Sequence, residues 1–210
     1  MGIRKAVVVV ALLGFGVALL AQGNASRGEE KAAECMACHG PGGNSETPEW
    51  PNLAGLDEAY IVAQLKAYQS GARDDLMMAP MAEGLTVQDM RDLGAYFASQ
   101  RMRLSAVGPA DRALLSEGER IYRSGVPARH VAACMVCHGP TGAGHPSAGF
   151  TRVGGQHAEY LFLQLQAYRE GDRTDPLGMM GEVTRRMSDD EMRAVAAYIA
   201  RLTEPAKPVQ

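Results

Sequence analysis

The pattern Cys-x-x-Cys-His occurs twice in this chain of 210 residues, in ECMACHG from Glu34 to Gly40 and in ACMVCHG from Ala133 to Gly139. The two copies use all four cysteines and two of the five histidines. Three chemistries place cysteines two residues apart: a zinc site, a redox-active disulfide and the covalent attachment of a c-type haem. A tetrahedral zinc site needs four ligands, whereas each copy supplies three, and His39 is the only histidine before residue 130. A thioredoxin-like disulfide calls for a βαβ setting, which the sequence does not offer. Haem attachment accounts for each copy as it stands. The cysteines bond the porphyrin edge and the histidine gives the iron its proximal nitrogen. Cys35, Cys38 and His39 therefore make one site, and Cys134, Cys137 and His138 a second.

The repeat extends well past the cysteines. Residues 50–75 match 150–175 at an offset of 100, with Tyr60, Gln64, Leu65, Ala67, Tyr68, Gly71, Arg73 and Asp75 each recurring. Residues 84–99 match 186–201 at an offset of 102. The chain is a duplication of a small unit, in which a covalent cofactor supplies core that so short a segment lacks. Helical spacing runs through 57–70 and 157–170, with Gly71 and Gly171 as stop signals. Thr86 and Ser188 each precede an acidic residue by three positions, Asp89 and Glu191, as in a capping box. The helices that follow present Met90, Leu93 and Phe97, matched by Met192, Val195 and Ile199. Gly108-Pro109 closes one helix, and another begins near Asp111. The expected organisation is a unit at 24–103, a linker at 104–111 and a second unit at 112–210.

The segment before the first unit carries Arg4 and Lys5, then an apolar run from Ala6 to Ala21, then Ala21, Gly23 and Ala25. This is the pattern of a secretory signal at 1–23, cleaved after Gly23 or after Ala25. The alternative is an uncleaved anchor holding the protein at the membrane, although 16 apolar residues fall short of the roughly 20 that span a bilayer. Export to the periplasm suits covalent haem. Cleavage after Gly23 leaves 19 basic and 24 acidic residues, a net charge of −5. No basic patch marks a nucleic-acid partner.

The sixth iron ligand has to come from elsewhere in each unit. For the first unit it cannot be histidine, and methionine is the natural alternative, one that raises the potential. DLMMAPM offers Met77, Met78 and Met81, and LGMMGEV offers Met179 and Met180. At an offset of 102 the pair 77–78 falls on 179–180, while Met81 falls on Val183. His130, His145 and His157 suit surface or haem-edge hydrogen bonding better than distal ligation.

On CMACHGPGGNS, PNLAGLDEAYIVAQLKAY, MMAPMAEGLTVQDMRDLGAYFASQ, CMVCHGPTGAG and GFTRVGGQHAEYLFLQLQAYREGDRTD, the chain resembles the cytochrome c4 family. These are dihaem class I cytochromes built from two fused monohaem domains. The resemblance implies an all-α fold of two tandem class I cytochrome c domains, each wrapped around one covalently bound haem c. It also selects the distal ligands. The family's methionine stands seven residues before the hydrophobic residue that precedes the last helix, here Leu85 and Met187, so Met78 and Met180 are implied. The implied task is electron transfer in the periplasm between a quinol-oxidising complex and a terminal oxidase, with no small-molecule substrate. Two other functions compete with it. One is a dedicated electron-transfer subunit of a membrane oxidase or dehydrogenase complex; the other is a dihaem peroxidase, which needs a displaceable sixth ligand.

Overall fold

The computed structural model describes residues 22–104 and 111–202. The regular structure among them is helical, apart from two isolated bridges, Val126 with Val131 and His145 with Phe150. In the first unit the helices are α1 (Ala25–Lys31), α2 (Ala33–His39), α3 (Glu58–Ser70), α4 (Met78–Glu83) and α5 (Val87–Ser99). The second unit repeats them as α6 (Arg112–Ser124), α7 (Met135–His138), α8 (Ala158–Glu170), α9 (Met179–Thr184) and α10 (Asp189–Ile199). The expectation of two helical domains in tandem is met. Residues 1–21 of the secretory signal expected at 1–23, and Gly108-Pro109 of the linker expected at 104–111, lie outside the described residues.

Local signals start and stop these helices where the sequence places them. Asp57 accepts hydrogen bonds from the amides of Ala59 and Tyr60 at the start of α3. Gly71 and Gly171 end α3 and α8 in the left-handed conformation, at φ 73° and 90°. Both capping boxes form, Thr86 with Asp89 and Ser188 with Glu191. One boundary differs. α5 stops at Ser99 rather than running on towards Gly108, because the Asn44 side chain binds the Arg101 carbonyl and the Arg103 amide and draws 101–103 out of the helix.

Each unit closes on its own core. Leu56, Ile61, Leu93, Tyr96 and Phe97 centre the first; Ile121, Tyr122, Phe162, Met192, Val195 and Ile199 centre the second. In both, the first helix crosses the last at a glycine. A Cβ at Gly28 would stand 2.0 Å from the Asp92 carbonyl oxygen, and one at Gly118 would stand 2.1 Å from that of Ala194. Only hydrogen in place of a side chain lets the helices meet so closely.

The α1–α5 contact of the first unit is also charged. Asp92, only 1% exposed, accepts from Arg27, from Gln88 and from the amide of Asn24. The Arg27 hydrogen bond is the main cause holding its carboxyl below the usual range. Lys31 and Thr86 hold Asp89 down to about 2. Both carboxyls are depressed by folding, so their stabilisation is complete above about pH 4. It fades as pH falls, for Asp89 through about 2. Asp92→Asn should therefore lower stability at neutral pH and flatten its fall below pH 4. Circular dichroism followed through an acid titration checks this, and an unchanged slope would show that other groups drive the acid transition.

The units meet through α3 and α8 and the segments before them. Arg73 bonds Gln64, Tyr160 and Gln164, and Arg173 bonds Gln164, Tyr60 and Gln64. This contact is reciprocal. A second one runs a single way: Gln156 exchanges hydrogen bonds with the backbone of Asn52, and His157 Nε2 lies 3.0 Å from the Ser45 carbonyl. In the first unit the equivalent positions hold Leu56 and Asp57.

Candidate haem sites

α2 carries Cys35, Cys38 and His39 on one short helix, which ends where Gly40 takes φ 73°. All four cysteines of the chain are unpaired. His39 is buried, and its Nδ1 lies 2.9 Å from the Pro51 carbonyl. A carbonyl can only accept, so Nδ1 carries the proton and Nε2 keeps its lone pair for a metal. His138 repeats the arrangement with Nδ1 2.9 Å from the Thr151 carbonyl. Burial is the main cause lowering both pKa values, which favours the neutral imidazole that ligation requires.

The second attachment helix is shorter than the first. Only Met135–His138 is helical, whereas α2 starts two residues before Cys35. The cause lies in the longer connection from α6. Pro127 opens a 3-10 turn, His130 closes it at φ 55°, and Val126 pairs with Val131. This added loop explains why the attachment motifs are 99 residues apart while the chain just before them shifts by about 90.

The candidate distal methionines stand at the starts of α4 and α9, where a carboxylate binds their amides. Asp75 Oδ1 accepts from the amides of Met77 and Met78, both at 2.9 Å. Asp175 accepts from the amides of Leu177, Met179 and Met180 at 3.1, 3.2 and 2.9 Å. Of the candidates, Met77 is 68% exposed and Met81 42%, while Met78, Met179 and Met180 are half-buried. The far ends of the two short helices are held differently. Gln69 Nε2 donates to the carbonyls of Ala82, Glu83 and Leu85, and buried Thr184 donates to that of Met180.

The remaining histidines separate. His145 is exposed beside its bridge to Phe150, and exposed His130 closes the 3-10 turn. His157 departs from the surface position expected of it, being buried between the units against Ser45. Sequence reading also missed Asp75 and Asp175 as supports of the methionines. Their recurrence in the repeat was the available signal.

The donor set fits haem c: two unpaired thiols and an oriented neutral imidazole on one strand of chain, with a thioether on a second. Buried Asn52 Nδ2 and Arg173 Nε have no protein partner, as befits packing completed by a group with acceptor atoms. Zinc fits less well. Among the described residues, no three His, Cys, Asp or Glu side chains converge as a metal site. No helix of the described residues is long and apolar enough to cross a membrane.

Comparison with known proteins agrees with this geometry. The family model for cytochrome c matches twice, over residues 25–101 and 116–203. Cytochrome c4 of Pseudomonas aeruginosa is 42% identical over 91% of this chain and 96% of that protein. The thiosulfate dehydrogenase electron acceptor of Thiomonas intermedia is 36% identical over 86% of this chain and 82% of its own length. Among solved structures, reduced cytochrome c4 from Pseudomonas stutzeri superposes with a TM-score of 0.80 at 40% identity, covering 86% of this chain and all of that one.

Proposed function

Because this chain belongs to the cytochrome c family, and within it to the dihaem cytochrome c4 proteins, we propose that it shuttles electrons in the periplasm from a quinol-oxidising complex to a terminal oxidase. Two covalently bound haem c groups supply the one-electron chemistry. In this reading Cys35, Cys38, Cys134 and Cys137 form the thioethers, and the irons are held by His39 with Met78 and by His138 with Met180. The observation that carries it is the same support in both units: an imidazole oriented by a carbonyl, and a methionine amide held by a carboxylate two residues beyond a buried arginine. Such supports keep the ligands in place in both oxidation states, which keeps reorganisation small. A thioether on each iron leaves no position for peroxide, so the protein acts as a carrier and not as an enzyme.

Stopped-flow mixing tests the assignment. Reduction by a purified quinol-oxidising complex and reoxidation by a terminal oxidase should both be fast and should slow at high salt. Slow exchange with both, together with fast reduction by a dehydrogenase, would favour the second reading, that of a dedicated acceptor. The likeness to a thiosulfate dehydrogenase electron acceptor keeps that reading in view.

Asp75→Ala probes the support of the first methionine. Loss of a cap of this kind costs about 1 kcal/mol. Imidazole should then displace the thioether of that haem roughly fivefold more readily, measured by titration of the oxidised protein, while the second haem keeps its wild-type response.

A further inference from the structure

The reciprocal contact between the units carries charge that its own acceptors do not balance. Arg73 and Arg173 are 8% and 6% exposed. Gln64 Oε1 accepts from Arg73 at 2.6 Å and from Arg173 at 2.9 Å, and Gln164 Oε1 accepts from both at 2.7 Å. Each arginine also donates to the tyrosine of the other unit, Arg73 to Tyr160 and Arg173 to Tyr60, and each lies over a ring of its own unit, Tyr68 or Tyr168. Two buried cations thus share two neutral oxygens. Among the described residues neither arginine pairs with a carboxylate. Like charges so placed repel strongly when water is excluded, and a buried cation calls for an anion nearby. Haem carboxylates are the anions such a protein brings, and the unpartnered Arg173 Nε is a donor suited to one.

The joint is tied to both sites. Arg73 precedes by two residues the Asp75 that holds the amide of Met78, and Arg173 stands likewise to Asp175 and Met180. On the other flank, Asn52, bonded to Gln156 across the units, follows the Pro51 that orients His39. A fixed positive charge near an iron favours the reduced state, which carries one positive charge fewer, and so raises the potential. We propose that Arg73 and Arg173 act as one shared cationic centre that raises the potentials of both haems, each arginine acting on the site of the other unit as well as on its own.

The inference rests on the reading of two His/Met haem sites, and its test keeps the two apart. The intact dihaem protein is titrated potentiometrically, with both one-electron steps resolved, as wild type, Arg73→Gln, Arg73→Lys and Arg173→Gln. Mass spectrometry and the far-red sulfur-to-iron absorption report haem content and methionine ligation in each sample. With those unchanged, Arg73→Gln should lower both potentials, Arg173→Gln should do the same, and Arg73→Lys should leave both close to wild type. The proposal is overturned if a glutamine variant moves one step only or neither, or if Lys and Gln shift the steps alike. Should Arg73→Gln fail to fold, Arg173→Gln and Arg73→Lys decide between the same outcomes. Absence of the far-red band from the wild type would instead sink the ligand assignment.

Discussion

Alanine at Gly28 or at Gly118 is expected to destabilise the unit that contains it by about 3 kcal/mol, the upper end of what overpacking usually costs. The added methyl carbon would have to occupy a point 2.0 or 2.1 Å from a carbonyl oxygen of the opposing helix, and 2.8 Å from the Cβ of Tyr96 or Tyr198. Rotation of a side chain cannot relieve a clash with backbone. The two helices must separate, and the buried residues beside the crossing, Leu93 and Phe97 in one unit or Val195 and Ile199 in the other, lose contact with them. Each variant should shift one of two unfolding transitions and spare the other, because each unit has its own core. Thermal scans of the two variants beside the wild type measure this. A pair of variants indistinguishable from wild type would mean that the helices are further apart than described.

Met78→Ala should remove about half of the far-red sulfur-to-iron absorption, one of two equivalent contributions, and lower the potential of that haem. Met77→Ala should change neither, since the Met77 side chain is largely exposed while Met78 begins α4 half-buried. In the second unit Met180→Ala is expected to behave as Met78→Ala does, and Met179→Ala to leave the spectrum intact. The spectra of the four oxidised variants settle the register in both units. Loss of the band in Met77→Ala with retention in Met78→Ala would move the assignment by one residue. Carbon monoxide binding provides a second readout, because a reduced iron without its thioether accepts the gas and a six-coordinate one does not.

Much of the architecture is legible in the sequence because its signals are local. Asp57 and the Thr86–Asp89 and Ser188–Glu191 pairs start helices through bonds spanning two or three residues, and Gly71 and Gly171 stop them. The attachment motif is equally local, since its cysteines and histidine share one short helix. What the sequence hides is contact at a distance. Tyr60, Gln64 and Arg73 repeat at an offset of 100, and repetition alone reads as common descent; only the fold turns each repeated residue towards its counterpart. His157 is misread for the same reason, because its partner Ser45 lies 112 residues away. The early end of α5 depends on Asn44, more than fifty residues upstream.

The one-way contact between the units has a consequence for their ancestry. A freshly duplicated gene would give two interchangeable halves, and the arginine, glutamine and tyrosine contacts still have that exchange symmetry. Gln156 and His157 break it, for they reach Asn52 and Ser45 of the first half, where the matching positions offer only a leucine and an aspartate in return. A chimera carrying the first half twice would lose both attachments. One carrying the second half twice would keep them wherever its backbone follows the course of the first half at 45 and 52, since both partners are main-chain groups. The two halves have become specialised complements, each with its own part in the seam.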